Sequence, residues 1–265
     1  MVQIFPFLSR KPMVAVVRLQ GMIAASGSPG RLNDASLAGL LDVAFRRGKP
    51  KAVALVINSP GGSPVQSALI AARIRRLAEQ HEVPVHAFVE DVAASGGYWL
   101  ASAADEIHVD ANSIVGSIGV ISAGFGLHDM ISRIGVERRV YTAGVSKSQL
   151  DPFRPENPED VTRLKVLLEQ MHGNFIAQVK GRRGAKLADD DLFTGEFWLG
   201  AKAVELGLAD SIGHLVPVMK DRYGDKVRFR QYGLRRPFLS RLGLGLMRNA
   251  LALSEERALY ARYGL

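Results

Sequence analysis

The stretch AVALVIN at 52–58 is apolar at nearly every position and stops abruptly at SPGG. A strand with one face in water alternates apolar and polar residues. A continuous apolar run of this length, ended by proline and glycine, suits a strand buried on both faces of a sheet. VPVHAFV at 83–89 repeats the pattern and runs on to ASGG at 94–97. Strands of this kind need helices on both sides of the sheet, which limits the chain to a few layered architectures.

The intervening residues supply those helices. Between 64 and 80, Val65, Leu69, Ala72, Ile74 and Leu77 recur at helical spacing. MVAVVRL at 13–19 reads as a further strand, GYWLASAA as a helix and EIHVD as another strand. A helix is expected at 126–134 and a strand at 138–142 (RRVYT). Residues 143–158, AGVSKSQLDPFRPENP, have no period and many breakers, so they form a loop long enough to suggest a functional role. From 159 to 181, Val161, Leu164, Leu168, Met171, Phe175 and Val179 mark one stripe of the longest helix. Two shorter helices are expected within 196–224. Strand–helix–strand alternation with short links predicts an α/β fold with a mostly parallel sheet.

The chain has 265 residues, enough for one large domain. It has no cysteine, which excludes disulfides, thiolate catalysis and zinc–thiolate sites. The net charge is +8, and much of the excess falls in 228–248, rich in arginine and free of acids. From about 237 this segment sets leucines on one side and arginines on the other, a pattern suited to an anionic membrane surface or an acidic protein face. No aromatic-rich sheet motif or zinc-finger spacing supports specific nucleic-acid binding. No apolar run approaches the ~20 residues a membrane-spanning helix needs. The N-terminus, broken by Pro6 and Pro12, is a poor signal peptide. A cytoplasmic location, or a peripheral one on the inner face of a membrane, is the expectation. Three segments follow: an N-terminal arm at 1–11, a core domain at 12–233 and a basic amphipathic helix at 234–265.

The ends of the two buried strands carry the chemistry. In open α/β sheets ligands bind beyond the carboxyl ends of the strands. Glycines there let backbone N–H groups point at a ligand, and two such donors make an oxyanion hole. Ser95, in DVAASGG, is then a candidate nucleophile, provided that a base can be found. His128 reads as a histidine on a helix surface. Asp105 and Glu106 flank a strand start and read as capping or surface-pairing groups. Lys147, in GVSKS, is the remaining candidate. A lysine is a base only when neutral, and its reference pKa of about 10.4 makes that rare in water. Burial without a carboxylate partner shifts the balance, and Val145, Ser146 and Ser148 bring no negative charge.

NSPGG, DVAASGGYWLASAAD, SIVGSIGV and YTAGVSKSQLDPFRP occur here in the order seen in peptidase family S49, the signal peptide peptidase A–like serine proteases. The chain resembles that family over roughly residues 12–215. The resemblance implies a ClpP/crotonase-like spiral of βα units. It also implies a Ser–Lys dyad with Ser95 as nucleophile and Lys147 as general base. Ser117 would orient the lysine amine, and the backbone of Gly62 and Gly96 would form the oxyanion hole. It implies leftover signal peptides or other unstructured peptides as substrates and a ring or dome of several subunits, with no cofactor or metal. Larger family members carry two tandem copies of the domain, and many have an N-terminal membrane anchor. Neither is expected here.

Other readings compete. A ClpP-like protease would need a histidine downstream of the serine, but position 120 is valine and the nearest histidines are His108 and His128. A crotonase-like acyl-CoA enzyme would use the same oxyanion site without the lysine. A membrane-associated scaffold with an inert site, or a non-specific nucleic-acid binder, would use only the basic charge.

Overall fold

A computed structural model describes residues 11–25, 31–144, 146–189, 191–233 and 257–265. Eight strands form one sheet: β1 Met13–Gln20, β2 Ala52–Ser59, β3 Val85–Ala94, β4 Glu106–Val109, β5 Ile114–Gly116, β6 Phe197–Leu199, β7 Ser211–Ile212 and β8 Arg228–Tyr232. The order is β6-β5-β3-β2-β1-β8, with β4 pairing both β3 and β7. Every pairing is parallel except that of β5 with β6. The expected mostly parallel α/β fold is therefore observed. The helices between and after these strands are α1 Asp34–Arg46, α2 Pro64–His81, α3 Gly96–Ser102, α4 His128–Arg133, α5 Pro158–Arg183, α6 Gly200–Glu205 and α7 Leu215–Tyr223.

β2 is buried at all eight positions, as its unbroken apolar run requires. One sheet face packs on α1, α2 and α3 through Leu19, Leu37, Phe45, Leu55, Ile70 and Ile74. The other packs on α7 through Val14, Val16, Phe88 and Met219. Helix starts follow the capping rules. Asn33 accepts from the Ser36 amide, and Ser63 accepts from the Gln66 amide ahead of Pro64.

Several local expectations need correction. Residues 138–142 form no strand: nearly all are exposed, and no neighbouring strand offers a ladder. Only Phe175 and Val179 of the expected α5 stripe are buried. Val161, Leu164 and Leu168, on the outer part of the helix, are only half-buried, and Met171 is exposed. Helix α1 and the short strands β5 to β8 add to the elements read from sequence. Residues 1–10 and 234–256 lie outside the described residues, so the expected N-terminal arm and most of the expected basic helix are not described. At the far end, 257–261 are helical.

Asp105 and Glu106 do pair, as expected, but they tie elements together. Asp105 binds Arg75 at 2.7 Å and Arg182 at 3.1 Å, which links α2 and α5 to the start of β4. Asp210 accepts from Arg183 at 2.7 Å, Lys186 at 2.6 Å and the Ile107 amide at 2.7 Å. Burial opposes the charge on Asp210, but these donors outweigh it and hold its pKa at about 2.

Candidate active site

Ser95 stands between the end of β3 and the start of α3, with φ 51° and ψ −122°. A positive φ at a non-glycine residue is strained and persists only where the surroundings enforce it. Here the Ser95 amide donates to the Gly116 carbonyl at 2.8 Å, and the Trp99 amide donates to the Ser95 carbonyl at 3.0 Å. The serine is half-buried at the carboxyl edge of the sheet, where such folds place their sites.

Ser117 follows directly on β5. The register pairs Ala94 with Gly116, so Ser95 and Ser117 leave adjacent strands side by side. Ser117 also has a positive φ, 52°, and its amide donates to the Glu196 carbonyl at 2.6 Å. Its hydroxyl oxygen lies 3.4 Å from the Tyr263 hydroxyl.

The loop after β2 packs on the turn at Ser95. Gly62 has φ 139°, and a Cβ there would overlap the Ile23 carbonyl. A Cβ on Gly61 would come within 2.7 Å of the Gly96 nitrogen, and one on Gly96 would overlap the Ser67 hydroxyl. Glycine is required because the two loops approach backbone to backbone. The Ile23 amide donates to the Gly61 carbonyl and the Ser63 amide to the Ile23 carbonyl, which fixes the loop. The Gly62 and Gly96 amides have no hydrogen-bond acceptor among the described residues. Two free N–H donors beside a half-buried serine can receive a developing oxyanion.

Ser95, Ser117 and Gly62 share a cavity of about 230 Å³ with Val120, Thr194 and the C-terminal residues Leu259, Arg262 and Tyr263. A second, more apolar recess of about 90 Å³ also borders Ser95, walled by Trp99, Val120, Ile121 and Phe175. Trp99 and Phe175 stack with ring centres 4.7 Å apart. No histidine borders either recess, and Val120 borders both. Sequence reasoning missed the C-terminal contribution, because nothing local to Leu259 or Tyr263 shows where a chain end will fold back.

Lys147 does not border this cavity. It is exposed on an arm formed by residues 120–157. The arm is organised by its own contacts: the Leu127 amide donates to the Pro152 carbonyl at 2.6 Å, Arg138 pairs with Asp151 at 3.3 Å, and Arg138 lies over the Phe153 ring. Around Lys147, Ser146 accepts from Arg163 at 3.1 Å and Ser148 from Arg154 at 2.9 Å. Arg163 lies twelve residues before Phe175 on α5, about 18 Å along the helix at 1.5 Å per residue. Within one chain, the structure thus brings Ser95, Ser117, Gly62 and Gly96 together and holds Lys147 on the outer end of α5. The arm exposes large apolar side chains, among them Phe125 at 85% and Tyr141 at 91%.

The family model for peptidase family S49 matches residues 78–223, more than half of the chain, from α2 through β3 and the arm to α7. The chain is 49% identical over 271 aligned residues to a protein of Brucella melitensis named Na(+)/H(+) antiporter NhaA, a match covering 95% of this chain and 37% of that protein. It is 34% identical to protease 4 of Haemophilus influenzae, over 76% of this chain and 32% of that protein. The chain thus spans about a third of the length of these relatives. No helix among the described residues is long and apolar enough to cross a membrane. A solved structure of a mutant 1510-N membrane-bound stomatin-specific protease shares the fold, with TM-score 0.51 and 16% identity over 83% of this chain and 97% of that one. With the family model spanning the serine turn, its adjoining glycines and the lysine arm, the chain belongs to peptidase family S49.

Proposed function

We propose that the chain is a serine endopeptidase that hydrolyses unstructured peptides, leftover signal peptides among them, with Ser95 as nucleophile and Lys147 as general base. The carrying observation is the strained Ser95 turn, which borders one recess together with Gly62 and Gly96, whose amides are free of acceptors among the described residues. Ser95 Oγ attacks a peptide carbonyl while Lys147 takes its proton. The carbonyl carbon becomes tetrahedral, and the Gly62 and Gly96 N–H groups receive the oxyanion. Collapse expels the amine, which takes the proton from Lys147, and leaves an acyl-enzyme. Lys147 then activates the water that releases the acid. Ser117 accepts a hydrogen bond from the lysine amine and orients it. The recess lined by Trp99 and Phe175 suits an apolar side chain of the substrate.

In this reading Lys147 reaches the serine of a second copy. Its exposure on an arm that carries Phe125, Ile134 and Tyr141 into solvent is the support, since such side chains suit burial between subunits. A ring or dome follows naturally, with peripheral contact to an anionic inner membrane face through the basic segment.

The test is labelling by a fluorophosphonate probe and cleavage of an unfolded peptide mixture, both read by mass spectrometry. Wild type should label at Ser95 and cleave. Ser95→Ala and Lys147→Ala should each lose activity by about 10⁴-fold or more. A mixture of the two variants should recover part of it, because one copy supplies the serine and the other the lysine. Undiminished cleavage by Ser95→Ala would sink the nucleophile. Inactivity of the mixture, with each variant assembled as wild type, would place the dyad within one chain. Full activity of Lys147→Ala together with coenzyme A binding would favour the acyl-CoA reading.

A further inference from the structure

We propose that His86, Glu106 and His108 form a binding site for a divalent transition-metal ion of the zinc type, at which the Arg222 guanidinium is the competing cation. The three residues are brought together by sheet register. His86 on β3 pairs with Glu106 on β4, and His108 lies two residues further along β4. All three therefore share one face. It is the face that α7 covers, opposite the main core.

The distances suit an ion. His86 Nδ1 lies 3.6 Å and His108 Nε2 3.5 Å from the same oxygen, Glu106 Oε2. The ligand atoms of all three residues lie within 4.8 Å of one another. Zinc–nitrogen and zinc–oxygen bonds of 2.0–2.2 Å in tetrahedral array separate ligand atoms by about 3.3–3.5 Å. Two edges of that figure already stand within a few tenths of an ångström of the requirement. Two imidazoles and a carboxylate, with no cysteine in the chain, select the zinc, cobalt and nickel group of ions.

The second observation is independent of these distances. His108 is 4% exposed, and its Nε2 is buried without a hydrogen-bond partner. Its other nitrogen, Nδ1, lies 2.9 Å from Ser211 Oγ on β7. That is how metal-ligating histidines are held, one nitrogen fixed by an outer partner and the other left for the ion. A buried polar atom with no partner is costly, and an ion at this point removes the cost.

Arg222 now occupies the approach. Its guanidinium bonds both Glu106 oxygens, at 2.8 and 2.7 Å, and reaches within 3.4 Å of the His86 ring nitrogens. It comes from α7 and its side chain is partly exposed, so it can swing to solvent when an ion takes the carboxylate. His86 precedes Ser95 by nine residues on an extended strand, roughly 30 Å at 3.3 Å per residue. The ion would thus lie away from the serine and act on the β3–β4 edge and the seating of α7.

The test uses the full chain stripped by a chelator, titrated with ZnCl₂ by calorimetry and with CoCl₂ by visible absorption. Wild type should bind one ion per chain, with tetrahedral Co²⁺ bands. Glu106→Gln and His108→Gln should weaken binding at least about tenfold, and Arg222→Ala should tighten it by roughly tenfold. Zinc should raise the melting midpoint of wild type but not of Glu106→Gln. Binding unchanged in both ligand variants would assign the ion to surface histidines and overturn the site. Failure of Arg222→Ala to bind either ion would also overturn it, leaving Glu106 as the partner of Arg222 alone. If a ligand variant does not fold, wild type against Arg222→Ala decides, and equal affinity sinks the proposal.

Discussion

Ser95 and Lys147 sit on parts of the chain with opposite character. Ser95 closes a strand buried on both faces, and its backbone is fixed by bonds to Gly116 and Trp99. Every residue around it, from Ala94 to Ala101, is buried or half-buried. Lys147 stands on an arm whose side chains mostly face water and whose contacts are mostly with itself. The sheet edge can hold strained angles and free amides because the core enforces them. The arm has less to hold it in place, since an exposed loop has little packing to set against its conformational entropy. Under the proposed dyad, this division keeps the oxyanion-binding half ready and leaves the base dependent on what covers the arm.

The sharpest way to break the contrast is Gly62→Ala. The added Cβ overlaps the Ile23 carbonyl at a φ that alanine rarely adopts, so the loop must shift. Peptide cleavage should fall by at least about a hundredfold, the cost of losing one oxyanion donor. A control on the arm, Gly124→Ala, meets open space and should leave cleavage within twofold, a small change for a surface site. Arg183→Met tests the body through its buried ion pair. It strips Asp210 of its buried partner and should cost about 3 kcal/mol in urea unfolding.

Acid should also discriminate. Asp210 is held at about 2 in the folded protein against an ordinary value of 3.8. Its folded pKa is the lower one, so its stabilisation is present above about pH 4 and is lost as pH falls through 4 toward 2. Unfolding midpoints of wild type should drop over that window, and Asp210→Asn, already weaker at pH 7, should drop less. The smallest stability effect belongs to the arm. Phe125→Ser should change the melting free energy by less than about 0.5 kcal/mol. Sedimentation should nevertheless show weaker self-association, and cleavage should fall with it. A loss of fold stability comparable to that of Arg183→Met would show that the arm is part of the core after all.

Much of this was legible in the sequence. The continuous run at 52–58 announces a two-face buried strand, and β2 is one. The glycines at 61, 62, 96 and 97 announce a close backbone approach, and their absent Cβ atoms are what lets the two loops meet. The strand expected at 138–142 failed because RRVYT has strand propensity but no neighbouring edge to pair with, and propensity yields to context. The α5 stripe was read correctly as periodic, yet periodicity does not say how far the body extends beneath it. Only the stretch around Phe175 and Val179 finds a core to join.

Local pattern thus determined the parallel sheet, the serine turn and the two glycine-bearing loops, because each rests on residues a few positions apart. Tertiary structure alone decided the rest. It set Ser117 beside Ser95 through the Ala94–Gly116 register, brought Tyr263 to the Ser117 hydroxyl, gathered His86, Glu106 and His108 on one face and carried Lys147 to the end of α5. These are contacts between residues far apart in the chain, fixed by which strands pair and by how far a helix runs, and no short stretch of sequence encodes either.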